Sequence, residues 1–221
     1  MPPHDTPAGP SARSRLVQAA LRLFAEKGYE AAGTREIAEA AGANISAIRY
    51  YFGDKAGLYR AAFTEPMADL PARLNRERYA ELPLAAALGQ LFRDFLEPLK
   101  RGEDFRLVMK LHIREMIEPT GAWRHEIDAE IKPHHDALAM LLRRHLGTAC
   151  PDTDIHRLAF AIMGMAVHFY AGQEIVAAIQ PEILMDPAAI DILAERLSGY
   201  ALSMITGEAR RLAAQQQHAG G

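Results

Sequence analysis

Apolar residues along this chain recur every three or four positions and almost never every second one. From Ser11 the sequence reads SARSRLVQAALRLFAEKG, in which Leu16, Val17, Ala20, Leu21 and Phe24 fall on one helical face and Gly28 supplies a stop. A second short helix, REIAEAA, follows, with Thr34 placed to cap it, Glu36 in its first turn and Gly42 at its end. Asn44 is placed to cap a third, ISAIRYYF, and Asp54 a fourth that begins KAGLYRAAF. Pro66 and Pro71 then break the pattern.

Beyond Leu82 the helices lengthen. The spacing predicts helices from Pro83 to Lys100, Asp104 to Glu118, Gly121 to Leu146, Thr153 to Gln180, and Pro187 to about Leu212. Prolines 119, 151, 181 and 187 mark most of the joints, and Pro133 is expected to kink the third of these helices. The pattern describes an all-α chain in four stretches: a disordered N-terminal tail over 1–10, a three-helix helix-turn-helix domain over 11–60, a multi-helix bundle over 61–212, and a frayed tail over 213–221.

A short helix, a tight glycine turn and a second short helix make a helix-turn-helix. Ile37, Ala38, Ala41, Ile48 and Phe52 form its expected inward face, meeting Leu21 and Phe24 of the first helix. The opposite face of NISAIRYYF carries Asn44, Ser46, Ala47, Arg49 and Tyr50. A recognition helix presents such residues to base edges: Arg49 suits a guanine, Asn44 an adenine, and Ala47 a thymine methyl. Thr34, Tyr51 and Lys55 suit phosphates, because a hydroxyl or an ammonium fixes position without reading sequence. The helix starts at Thr34 and Asp54 add backbone N–H groups suited to anions. The shape alone does not separate a DNA reader from a common packing arrangement.

Charge adds a weak local signal. Lys plus Arg total 25 against 28 Asp plus Glu, so the whole chain carries −3 and has no global polyanion-binding signature. Residues 1–60 hold 8 basic and 6 acidic residues (8 − 6 = +2), and the remainder holds 17 and 22 (17 − 22 = −5). That asymmetry suits a first domain that meets a polyanion and a second that does not. The single cysteine, Cys150, cannot pair within the chain and suits a reducing cytosol. No signal peptide opens the sequence and no apolar run reaches membrane-spanning length, so a cytoplasmic protein without a membrane partner is expected.

The stretch TREIAEAAGANISAIRYYFGDKAGLY resembles the DNA-binding domain of the TetR/AcrR family of bacterial regulators: Thr, an Ile-Ala pair, Ala-Gly, a small-residue helix start, Tyr-Phe, Lys, then Leu-Tyr. The likeness covers about Ser11 to Phe63. It implies that Thr34, Tyr51 and Lys55 contact phosphates while Asn44, Ser46, Ala47, Arg49 and Tyr50 face bases of a double-stranded operator. Arg49 stands where the family often has Tyr, and Asn44 where Ser or Thr is frequent, which leaves the operator sequence open. FLEPLKRG, LHIREMIEPTGAW and EIKPHHDALAMLLRRHLG resemble the C-terminal domain of the CecR (YbiH-like) branch of that family. That likeness implies a ligand-binding and dimerisation bundle, and an association with control of drug efflux.

A regulator of this kind resembles a repressor released by a small molecule. Candidate pocket residues for an apolar or aromatic effector are Phe92, Phe95, Met109, His112, Met116, Trp123, Met163, Met165, His168 and Phe169, since Met adapts in shape and aromatics supply area. His112 and His168 are the polar members suited to orient a ligand. Each of these residues is equally at home in a plain core. Arg114 and Glu115 are adjacent, face different ways, and each needs a separate partner. The last two long helices are more apolar than one buried stripe requires. Ile162, Met165, Phe169, Ile190, Leu193, Leu197 and Ala201 are the expected second face, for a two-fold homodimer. His134 and His135 point about 100° apart on a helix and chelate poorly. No metal and no cofactor is expected. A phosphate loop, a nucleophile elbow and an HExxH helix are all missing from the sequence, so no enzyme is expected. The alternative is a helical small-ligand-binding protein without DNA recognition.

Overall fold

A computed structural model describes residues 11–68, 79, 81–121, 131–147 and 150–219. The elements are α1 (Ala12–Ala31), α2 (Thr34–Ala40), α3 (Ser46–Phe52), α4 (Lys55–Ala68), α5 (Leu84–Leu96), α6 (Glu103–Ile117), α7 (Lys132–Leu146), α8 (Asp152–Ala171), α9 (Gln173–Ile179) and α10 (Pro187–Ala219). Short 3-10 turns cover Glu97–Arg101 and Pro181–Ile183. Among the described residues every regular element is helical, as the period of the sequence requires. The chain divides into two compact units, Met1–Leu70 with Leu107–Trp123, and Pro71–Arg106 with Arg124–Gly221. The first unit therefore recruits most of α6 from far along the chain, in addition to the expected N-terminal helices.

In the first unit, Ser11 caps α1 by accepting from the Ser14 N–H at 3.1 Å. Leu16, Ala20, Phe24 and Ala25 of α1 are fully buried, against Ile37 and Ala38 of α2, Ile48 of α3, and Leu58, Ala62 and Phe63 of α4. Burying side chains of this size contributes on the order of 1.5–3 kcal/mol each. Arg15 Nε donates to the Ala41 carbonyl at 3.0 Å, closing the end of α2 with a positive charge. The rings of Phe24, Tyr29 and Tyr59 meet edge-on or stacked, with the Phe24 and Tyr59 centroids 4.9 Å apart.

The end of α6 completes this unit. Glu115 is fully buried and accepts from the Tyr59 hydroxyl at 2.6 Å, from the Thr120 N–H at 2.8 Å and from the Thr120 hydroxyl at 3.0 Å. Burial, then the hydrogen bond to Glu115, push the Tyr59 phenol well above its ordinary range, so it stays a donor. Arg114, facing another way, pairs with Glu118 at 3.1 Å and lies against Gly28. Gly28 interrupts α1 with φ 83° and ψ 169°, a kink rather than the full stop expected, since helical hydrogen bonding resumes to Ala31. A Cβ at Gly28 would stand 2.7 Å from Arg114 Nη1. Both the backbone conformation and the approach of the guanidinium demand glycine there.

In the second unit, α5 lies along α10, and α7 packs on α8. Leu88, Phe92 and Leu96 share the core with Leu142, Ile155, Ile162, Ala201 and Ile205. Lys100 ties the 3-10 turn to α10 through Asp191 at 2.7 Å, and its ammonium is held above its usual range first by that bond. The Tyr170 hydroxyl donates to the Phe95 carbonyl.

Several expected boundaries shift. The helix expected over Thr153 to Gln180 is two helices, α8 and α9, bent by 77° at Gly172, whose φ of −104° and ψ of 20° leave helical geometry. Pro66 does not break α4, which contains it and runs on to Ala68. The stretch expected to fray from residue 213 continues α10 to Ala219. The tail 1–10, Pro71, Trp123 and the 122–130 part of the predicted third helix lie outside the described residues. No single helix among the described residues is long and apolar enough to cross a membrane.

Gly28→Ala is expected to lower stability by about 1–3 kcal/mol, from the positive φ and the displaced Arg114 together. Chemical denaturation of the full chain measures it, and an unchanged midpoint would remove Arg114 and Gly28 from the account of this unit.

Candidate nucleic-acid interface

The geometry of α2 and α3 follows from what each face has to satisfy. Ile37, Ala38, Ala41 and Ile48 point inward and are nearly or fully buried, and Phe52 is half-buried beneath the Arg13 guanidinium, 5.2 Å from its ring centroid. The turn between the helices passes through Gly42 at φ 57°. The start of α4 comes so close to the end of α3 that a Cβ at Gly57 would lie 2.0 Å from the Phe52 carbonyl oxygen. Glycine at 57 thus sets how tightly the α3–α4 corner closes.

With one side committed to packing, α3 turns the other to solvent. Asn44, Ser46, Arg49 and Tyr51 are exposed, Tyr50 is 82% exposed, and Ala47 is half-buried. The Tyr50 and Tyr51 rings meet edge-on with centroids 4.9 Å apart. Among the described residues the Arg49 guanidinium has no hydrogen-bond or ion-pair partner. A planar cation with five donors and no protein acceptor is equipped for an external one.

Asn44 plays a narrower part than its expected reading of adenine. Its Oδ1 accepts from the Ser46 N–H at 2.9 Å and from the Ser46 hydroxyl at 2.8 Å, capping α3. While that cap holds, bidentate pairing to adenine is not available, because it needs the same oxygen. The amide N–H groups of Asn44 and the lone pairs of Ser46 remain. Thr34 is the first residue of α2 rather than its cap; Gly33 takes the cap position without any side-chain bond. Asp54 does cap α4, accepting from the Gly57 N–H at 2.7 Å. Its carboxylate fills that helix start, which therefore does not offer the free anion site expected of it. Lys55 donates to the Glu30 carbonyl at 3.2 Å and lies 4.7 Å from the Tyr29 ring centroid. One of its three donors is spent on α1, which leaves the ammonium able to meet an external acceptor as well.

Two exposed residues of the same surface escaped the sequence reading. Arg35 stands beside Thr34 in the first turn of α2, exposed. Ile45 is 47% exposed at the start of α3. The spacing places Ile45 on neither face; the structure sets it at the N-cap position, one residue ahead of α3, and leaves it exposed.

The residues expected to form an effector pocket are divided between the two units. Met109, His112 and Met116 lie in the first unit, and Phe92, Phe95, Met163, Met165, His168 and Phe169 in the second. Met116 is exposed at the end of α6, and His168 is exposed on α8, so neither lines an interior space. His112 is buried in the core of the first unit, stacked 3.9 Å from the Phe63 ring centroid, with its Nδ1 donating to the Val108 carbonyl at 2.8 Å. Phe92 is plain core. A small apolar recess in the second unit is instead lined by Tyr79, Ala87, Leu91, His134, Ala137, Leu138 and Leu141, with room for about one water molecule. Trp123 lies outside the described residues.

The expected dimer face also needs correcting. Ile162, Ile190, Leu193, Leu197 and Ala201 are buried by the chain's own core, and Met165 and Phe169 are half-buried, because these residues form the inner stripes of α8 and α10. The outer face of the same helices carries Phe160, 67% exposed, Ile192, 58%, and Tyr200, 56%, with Ala161, Gly164 and Gly199 between them. His135 and His156 meet through Nε2 and Nδ1 at 2.6 Å. Among the described residues no group of three or more His, Cys, Asp or Glu side chains is placed to hold a metal ion.

Comparison with known proteins matches both halves of the chain. Residues 16–62 match the family described as bacterial regulatory proteins, tetR family, and residues 84–207 match the HTH-type transcriptional dual regulator CecR, C-terminal domain. The chain is 33% identical to the HTH-type transcriptional dual regulator CecR of Shigella flexneri, over 79% of this chain and 82% of the relative. It is 35% identical to the HTH-type transcriptional repressor AcnR of Corynebacterium glutamicum, over 66% of this chain and 71% of the relative. Among solved structures, a TetR-family transcriptional regulator from Bordetella parapertussis aligns with TM-score 0.65 at 21% identity, over 86% of this chain and 93% of its own. AibR, solved with isovaleryl coenzyme A and operator DNA, aligns with TM-score 0.54 at 22% identity, over 73% and 86%. At such identities the two structures speak for the fold.

Asn44→Ala is expected to destabilise the chain by about 0.5–2 kcal/mol through loss of the cap, and Asn44→Asp to retain most of it. Urea denaturation of both variants distinguishes a capping role from a purely external one.

Proposed function

Because the chain belongs to the tetR family of bacterial regulatory proteins, with a CecR-type C-terminal domain, and is a DNA-binding transcriptional regulator, we propose that it acts in the cytoplasm as a homodimeric repressor. It binds a palindromic operator and a small molecule releases it. The observation that carries this reading is the division of α3 into a buried face at Ile48 and an exposed face bearing Arg49 and Tyr50. On DNA, Arg49 pairs with a guanine, Tyr50, Ser46 and Ala47 lie along neighbouring base edges, and the Asn44 amide N–H groups supply a donor. Thr34, Arg35, Tyr51 and Lys55 hold phosphates.

A repressor role draws support from AcnR, whose name gives it that role. Dimerisation is assigned to the outer face of α8 and α10, where Phe160, Ile192 and Tyr200 supply area and Gly164 and Gly199 let helices approach closely. Two-fold symmetry then sets the half-sites about 34–36 Å apart, or a multiple of that. AibR, captured with a small molecule and an operator, supports a ligand-responsive mechanism. An effector that binds the released state better by ~1–3 kcal/mol is enough for a measurable response. Because the recess in the second unit holds little more than water, an effector enters with rearrangement of its lining. The resemblance to the CecR branch makes efflux genes the first place to seek the operator. No catalytic step belongs to this reading.

Selection of duplexes from a random-sequence pool with the full chain, followed by a gel-shift titration, tests it. Enrichment of a two-fold symmetric sequence is expected; failure to enrich any duplex favours a ligand-binding protein that does not recognise DNA. On the enriched operator, Arg49→Ala is expected to cost ~1–3 kcal/mol and to relax preference at one position per half-site. Tyr200→Glu is expected to yield monomers in sedimentation velocity and to abolish tight operator binding, and a variant that stays dimeric would move the interface elsewhere.

A further inference from the structure

The solvent face of α3 contains one residue that ordinary surface chemistry does not account for. Ile45 is 47% exposed at the N-cap position of α3, with helical dihedrals of φ −56° and ψ −31°. The polar groups on either side of it are spoken for: the Asn44 oxygen and the Ser46 hydroxyl proton are bonded to each other. Ala47, the residue that composition alone nominates for an apolar contact, is half-buried. Ile45 is therefore the apolar group that α3 holds out nearest its start, and Arg49, four residues on, stands above it in the same row. In the major groove the one apolar feature among the base edges is the C5 methyl of thymine.

We infer that Ile45 is a specificity-determining residue that reads a thymine methyl in each operator half-site, close to the guanine taken by Arg49. The inference rests on the DNA-binding reading proposed above. Four residues of helix advance about 6 Å, whereas base pairs are stacked about 3.4 Å apart. The thymine accordingly lies within one or two base pairs of the guanine. The contact rests on the side-chain faces of α3 and needs no backbone group at its end.

The test uses the full chain and the operator selected from the random-sequence pool. Each thymine is replaced singly by deoxyuridine, which removes the methyl and leaves every hydrogen-bonding group in place. Affinity is read by fluorescence anisotropy at fixed salt. One thymine per half-site, within two base pairs of the position relaxed by Arg49→Ala, is expected to show a loss of roughly fourfold, the scale of one methyl withdrawn from apolar contact. With Ile45→Ala the parent operator binds roughly as weakly, and the deoxyuridine replacement has no further effect. Because Ile45 is exposed, the variant's thermal midpoint and dimeric state serve as controls for folding, and Ile45→Val is expected to keep most of the discrimination. If no thymine is sensitive, or if sensitivity persists undiminished in Ile45→Ala, the inference is overturned while operator binding stands. If no operator can be selected, both fall together.

Discussion

A carboxylate that solvent does not reach holds the first unit together. Glu115 receives the Tyr59 hydroxyl, the Thr120 N–H and the Thr120 hydroxyl. Removing such an acceptor strands the buried Tyr59 hydroxyl, at a cost of about 1–3 kcal/mol. That is a large share of the 5–15 kcal/mol by which ordinary domains are stable. Tyr59 belongs to α4 and packs edge-on against Phe24 of α1, so the same anchor reaches the helices behind the recognition surface. Arg114, one residue earlier, presses against the kink at Gly28. Together the two neighbours grip α1 and α4 from one helix end.

The outward surface of α3 is the complement of that grip. A seven-residue helix has too few internal hydrogen bonds to persist alone. It is held by Ile48 from below, by the Asn44 cap at its start, and by the close corner that Gly57 permits with α4. Everything that fixes its position is on the inner side or at its ends. The side chains left over, Arg49, Tyr50 and Ile45, bear little structural duty and are available to an external partner. Under the proposed function, this separation lets the side chains offered to DNA change without loss of the fold.

Helical period and capping residues told most of the architecture. The all-α class, the order of the short helices and the inward set Ile37, Ala38, Ala41 and Ile48 could all be read from spacing, because packing of an amphipathic helix is a local property. What escaped the sequence depended on distant partners or on absolute phase. Gly28 looks like a stop until Arg114 is seen beside it. The residues expected between subunits are the inner stripes of α8 and α10, since apolar excess tells that a second face exists but not which stripe is turned inward. The ligand set was legible only as apolar and aromatic residues at helical spacing, and composition does not divide such residues between two units.

The return of residues 107–121 to the N-terminal helices bears on how such a protein can be rearranged. A recombination joint placed after α4 looks harmless on a linear map, yet it would transplant α1 to α4 without the helix end that supplies Glu115 and Arg114. The recipient would have to offer a matching acid and base at the equivalent turn, or the moved piece would carry an unfinished interior. The two stretches are thus inherited as one object, and a few side chains on α3 can be exchanged between relatives with less disturbance than whole segments.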